Sequence, residues 1–170
     1  RTDMPQAENV LCETYRQKLL ERVLNEKEIE TVFLVARWPL YGRGGMLPSE
    51  GHGSFKLVDA TNQKMYMNNF EAIQKSLDSL IKRIRSANKK VVIIEAVPEM
   101  PWHVAGRMRA EILFNMPFAP DSISLDDVER MQGETNNVLR SFNHFDGVLV
   151  IITSEYLCMN GCSSRKGDAA

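Results

Sequence analysis

The chain has 170 residues, enough for one domain with a real core, and its 44% hydrophobic and 25% charged residues are ordinary for a globular protein. A net charge of −1 gives no reason to expect nucleic acid or an anionic membrane surface as a partner. The longest apolar runs are strand-sized, too short to span a bilayer, and the polar opening RTDMPQAENV shows no signal peptide. Without an initiator Met, that opening reads as part of a longer protein, so missing targeting signals say nothing about compartment.

In chain order, a helix is expected over residues 8–24, carrying Leu11, Tyr15, Leu19 and Val23. Residues 31–36 follow as six apolar or β-branched positions, the pattern of a central parallel strand covered on both faces. This strand ends abruptly in Arg37, Trp38, Pro39 and Tyr41, then in the glycine-rich GRGG of 42–45. Some thirty residues, 38–67, pass before the next helix, well beyond an ordinary βα loop. That helix places Phe70, Ile73, Leu77, Leu80, Ile81 and Ile84 on one stripe, with Lys and Arg toward its end. VVIIEA (91–96) is the second strand, followed by an insertion rich in Pro, Met and aromatics that includes a helix. A further helix carries Val128, Met131, Val138, Leu139 and Phe142, with Ser124 as its N-cap before two aspartates. GVLVII (147–152) is the third strand, and a Cys-containing tail closes the chain.

Strands alternating with helices predict one α/β domain over residues 1–170 with a parallel sheet wrapped on both faces. The helix-to-strand connections are short. The two long ones leave the carboxyl ends of strands, where open α/β sheets place their ligands.

At that edge Arg37 and Trp38 are the first candidates: position favours a site-lining role over a surface cation–π pair. GRGG could form a backbone nest for an anion, but it lacks the Lys and Ser/Thr of a phosphate loop. Glu99, Trp102 and His103, in EAVPEMPWH, resemble catalytic equipment, although Pro98 and Pro101 could be only turning the chain. A lone loop His is more often a surface residue, and His52 and His144 have weaker claims than His103. Ser163 and Ser164 have no neighbouring base in sequence, and neither is taken as a nucleophile. Neither a G-x-S-x-G elbow nor an H-E-x-x-H helix is present. For Cys158 and Cys162 a disulfide ranks ahead of free thiols and of half a metal site, and no metal is expected. Cys12 would be a buried thiol, or the partner of a cysteine elsewhere.

VFLVARWPLYGRGG, VVIIEAVPEMPWHV and LCMNGCSSRKGDAA, in this order and spacing, resemble one family. It is the SGNH-hydrolase-like domain fused behind the integral-membrane acyltransferase-3 domain in bacterial proteins that O-acetylate surface polysaccharides. The resemblance covers about residues 9–170, with A-R-W-x-x-Y its most specific element. It implies a flavodoxin-like three-layer α/β/α sandwich with a mainly parallel sheet. It also implies acyl transfer through a serine acyl-enzyme to a sugar hydroxyl or water. The setting implied is extracytoplasmic, with the acyltransferase-3 domain as partner in cis and polysaccharide as substrate. No cofactor is expected in this domain; an acyl donor such as acetyl-CoA would be used by the membrane domain.

The departures from the family pattern matter. No Gly-Asp-Ser block precedes Cys12 and no Asp-x-x-His block follows the tail cysteines, so no member of the triad is evident. Where a standard SGNH enzyme has Gly-x-Asn-Asp, this chain has Ala36, Arg37 and Trp38. Arg37 is then the group expected to stabilise negative charge in place of the oxyanion Asn, with Trp38 and Tyr41 beside it. Two rivals stand beside this reading. One is a non-catalytic glycan-binding domain using Trp38, Tyr41 and Trp102 as stacking platforms; the other is a phosphate or nucleotide binder using GRGG. A domain lacking its first strand would also expose a sheet edge and associate, an expectation that fails if the protein runs as a clean monomer.

Overall fold

The structure is a computed structural model and describes residues 6–47, 53–59, 65–115, 122–158 and 161–163, with the side chains of 6–13 left aside. Three parallel strands carry it: β1 (Thr31–Val35), β2 (Lys90–Ile94) and β4 (Val148–Ile151), in the order β1-β2-β4. The register pairs Val35 with Ile94, and Ile94 with Ile151, so the three carboxyl ends lie level. A two-stranded antiparallel ladder joins β3 (Ser122–Ile123) to β5 (Cys162–Ser163).

The helices are α1 (Gln6–Asn25), α2 (Trp38–Arg43), α3 (Asn69–Ser86), α4 (Val104–Phe114), α5 (Leu125–Arg140) and α6 (Thr153–Leu157). Helix α3 starts where Asn68 accepts the Glu71 N–H and buries Ile73, Leu77, Ile81 and Ile84, the expected stripe. Helix α5 starts in a full capping box, Ser124 accepting the Asp127 N–H while Asp127 accepts from Ser124. The Ser124 hydroxyl, then its N–H, hold the Asp127 carboxyl below its ordinary pKa of 3.8. A carboxyl depressed by folding contributes stability above its unfolded pKa and loses it as pH falls through the folded one. Amide-exchange protection in the first turn of α5 should therefore drop below pH 3.8, and Asp127→Asn should remove that dependence.

Alternation along the strands sends Val91, Ile93 and Val150 into a core with α3, Leu139 and Phe142. The opposite face leaves Phe33, Val35 and Leu149 at 60%, 63% and 54% exposure. This corrects the expectation that 31–36 is a central strand covered on both sides: among the described residues β1 lies at the sheet's edge. The reason is topological. The strand order advances in one direction, so right-handed crossovers put α3 and α5 on the same face. A mixed α/β fold with a parallel sheet is nonetheless what the pattern predicted.

A second correction concerns the long connection after β1, which begins as a helix, α2. Pro39 in its first turn needs no amide partner there, and Gly44 closes it at φ 69°. Helix α2 wedges against both α3 and α5. At Gly42 a Cβ would stand 2.3 Å from Thr135 Oγ1 and 2.7 Å from a Phe70 ring carbon, closer than such atoms approach. Gly42→Ala is expected to destabilise the fold by about 1–3 kcal/mol, read as a lower urea midpoint.

Candidate functional site

Arg37 and Trp38 leave the carboxyl end of β1, and Trp38 Nε1 donates to the Ile94 carbonyl at the end of β2 (2.8 Å). The indole is thereby fixed across two strand ends. The loop after β2 brings in Glu99, whose side chain is 7% exposed. Its Oε1 accepts from Arg37 Nε at 2.5 Å, and its Oε2 lies 2.7 Å from Arg43 Nη2 on α2. The second contact is an ion pair off the line of a hydrogen bond. One buried carboxylate thus lies between two guanidiniums.

Helix α5 fixes the loop that carries this carboxylate. Gln132, 1% exposed, accepts the Glu99 N–H at 3.1 Å and donates to the Val97 carbonyl at 3.2 Å. Upstream, Glu95 is 2% exposed and takes both Arg140 Nε (2.6 Å) and Nη2 (3.3 Å). The Glu95 hydrogen bond pushes the Arg140 pKa further up. Thr153 then donates to the Ala96 carbonyl at 2.7 Å. The carboxyl edge of the sheet therefore pairs two buried carboxylates with partly exposed arginines, an arrangement costly to assemble.

The sequence candidates divide between this edge and places away from it. Arg37, Trp38 and Glu99 converge. Tyr41, 42% exposed, stands on α2 edge-on to Phe55, with ring centroids 6.2 Å apart. Trp102 packs instead with Ile123, Val128 and the tail cysteines, and carries Arg107 4.4 Å over its ring. His103 is exposed and caps α4, its Nδ1 accepting the Gly106 N–H at 2.8 Å. His144 is exposed on the 3₁₀ turn after α5 beside Phe145, and Ser163 is exposed in β5. His52, Ser164 and the Cys12 side chain lie outside the described residues. The amides of Gly44 and Gly45 donate to carbonyls of Leu40 and Tyr41, so the donors an anion nest needs serve the end of α2.

Cys158 and Cys162 form a disulfide that joins the end of α6 to β5 and is buried with Ile123 and Val128. Replacing both by Ser should cost about 2 kcal/mol, the loop-closure value for so short a loop. Urea unfolding with and without reductant reads this directly. No group of three or more candidate metal ligands occurs among the described residues.

Arg43, Gln132 and the Glu95–Arg140 pair were not foreseen. Pro39 was the one signal for a helix at 38, which would have placed Arg43 about one and two-thirds turns beyond Arg37.

A parallel α/β sheet with long insertions and an arginine–glutamate cluster at its carboxyl edge defines an open-sheet α/β domain, a class in which ligands generally sit at that edge. Within that class, a family model described as SGNH domain (fused to AT3 domains) matches residues 1–169, and the chain belongs to this family. Among curated proteins nothing matches the chain, and no solved structure matches it. Among the described residues no helix is long and apolar enough to cross a membrane.

Proposed function

We propose that this chain is the extracytoplasmic SGNH domain of an acyltransferase that O-acetylates cell-surface polysaccharide, working with an acyltransferase-3 membrane domain in cis. The observation that carries the reading is Arg37, held at the carboxyl edge of the sheet by the buried Glu99. In the full-length protein a serine hydroxyl attacks the acyl carbonyl, and its proton passes to a histidine base. The carbonyl oxygen becomes an oxyanion that Arg37 stabilises. Its collapse expels the donor's leaving group, which takes the proton back from the histidine, and leaves the acyl-enzyme. A sugar hydroxyl then attacks the serine ester and gives its proton to the histidine; collapse of this second intermediate returns that proton to the serine oxygen and releases the acylated sugar. The 170 residues contain neither a Gly-Asp-Ser nor an Asp-x-x-His block, so this reading takes the serine and histidine from elsewhere in the protein. The acyl donor, an acetyl-CoA-type thioester, is handled by the membrane domain. The disulfide supports an oxidising compartment.

The test is the O-acetyl content of surface polysaccharide, measured by NMR, in cells with the full-length gene and cells with residues 1–170 deleted. Loss of O-acetyl groups on deletion is expected; unchanged acetylation would overturn the reading. A second reading, a glycan-positioning domain without chemistry of its own, is favoured by the aromatic pair Trp38 and Tyr41 lining one cleft. It predicts that Arg37→Ala leaves acetylation intact.

A further inference from the structure

We propose that Arg43 is a positioning residue: through Glu99 it sets the orientation of the Arg37 guanidinium at the carboxyl edge of the sheet. The catalytic use of that orientation rests on the acyl-transfer reading, whereas the orientation itself rests on geometry alone.

Arg37 Nε meets Oε1 of Glu99 at 2.5 Å, while Arg43 Nη2 lies 2.7 Å from Oε2. A carboxylate held by one oxygen can still turn about its last side-chain bond, because that torsion has broad wells. A second cation at the other oxygen removes the turn. The Glu99 backbone is already fixed by Gln132, so the carboxylate torsion is the freedom that Arg43 closes. Arg43 is itself held by the end of α2, where Gly44 donates to the Leu40 and Tyr41 carbonyls.

Two ordinary reasons for an arginine here do not account for it. Basic residues in a last turn commonly offset the helix dipole, but α2 has only six residues and little dipole to offset. Arg43 gives its one hydrogen bond among the described residues to the Met131 carbonyl on α5, and that bond is long at 3.5 Å. Nor does hydrogen bonding explain its burial. Arg43 Nε and Nη2 are buried and donate no hydrogen bond, and buried donors left unsatisfied cost folding free energy. Such unsatisfied groups gather at working sites. The Nη2 contact is a charge contact off the hydrogen-bond line, so Arg43 supplies Glu99 with a placed positive charge and not a directed fork.

The Arg37 Nε–H resonance, assigned by its loss in Arg37→Ala, reports the orientation by NMR of the chain itself. In the parent it should stand apart from exposed arginines and exchange slowly, as a charge-assisted bond to a buried carboxylate requires. Arg43→Gln should move it toward the exposed arginines while the backbone amide spectrum stays folded. Arg43→Lys, which keeps a cation near Oε2, should leave it in place. In the full-length protein Arg43→Gln should lower kcat about tenfold with KM little changed. Added to Arg37→Ala it should cause no further loss, because a residue that acts through Arg37 then has nothing to act on. A merely structural defect would multiply the two losses. The proposal is overturned by an Arg37 signal unmoved in Arg43→Gln, by a displaced signal in Arg43→Lys, or by a kcat loss that persists in full without Arg37. It is overturned too if Arg37→Ala lowers kcat and Arg43→Gln does not. If Arg37→Ala itself leaves kcat unchanged, the catalytic role of Arg37 fails, and the NMR result alone decides whether Arg43 orients it.

Discussion

Replacing Arg37 by Ala in the full-length protein is expected to lower kcat for acyl transfer by about 10²–10³-fold, with KM little changed. The proposed role acts only when charge develops on the carbonyl oxygen, so the loss falls on the transition state and not on ground-state binding. Arg37→Lys should recover part of the rate, because an ammonium keeps the charge but loses the planar fork that Glu99 orients. Steady-state kinetics on membranes containing the full-length protein measure this. A variant with unchanged kcat would remove Arg37 from the chemistry and favour the glycan-positioning reading.

Glu99→Ala should cause the largest loss of stability of any single change at the site, about 3 kcal/mol. That is the lower end for breaking a buried charge pair, since the two arginines keep partial access to water at 37% and 25% exposure. Without the carboxylate, two like charges face each other across the gap it filled. Glu99→Gln should cost less, because the amide oxygen still accepts one guanidinium N–H. Urea denaturation of the chain is the measurement. A midpoint for Glu99→Ala within error of the parent would show that the two ion pairs contribute nothing. The two predictions are linked: if Glu99 orients Arg37, Glu99→Gln in the full-length protein should lower kcat more than its small stability loss explains.

How far the sequence could be read depends on the range of each interaction. Helices α3 and α5 were legible from apolar residues spaced three and four apart, and α5 also from its Ser124 cap, because those signals act within one or two turns. The strands were legible as short β-branched runs, and the long insertions at their carboxyl ends pointed to that edge as the candidate site. Arg37 and Trp38 were found by that positional argument alone. The face that β1 turns to its neighbours was not legible. Six apolar residues in a row carry no alternation, so only the strand order and the handedness of the crossovers decide which side is covered.

The sequence by itself determined the order of the three parallel strands and of α1, α3 and α5, the Ser124 cap and, through its three blocks, membership of the family that the comparison shows. The tertiary structure alone decided that Arg37 and Arg43 share Glu99 and that Gln132 fixes the loop that carries it, and it closed the Cys158–Cys162 disulfide that the sequence ranked first. It also set Trp102 in a separate cluster and gave His103 a cap to make. The physical reason is one of distance along the chain. Caps and stripes are set by neighbours a few residues away, whereas Glu99 meets its arginines only after β1, α2 and the loop beyond β2 have been folded onto one another.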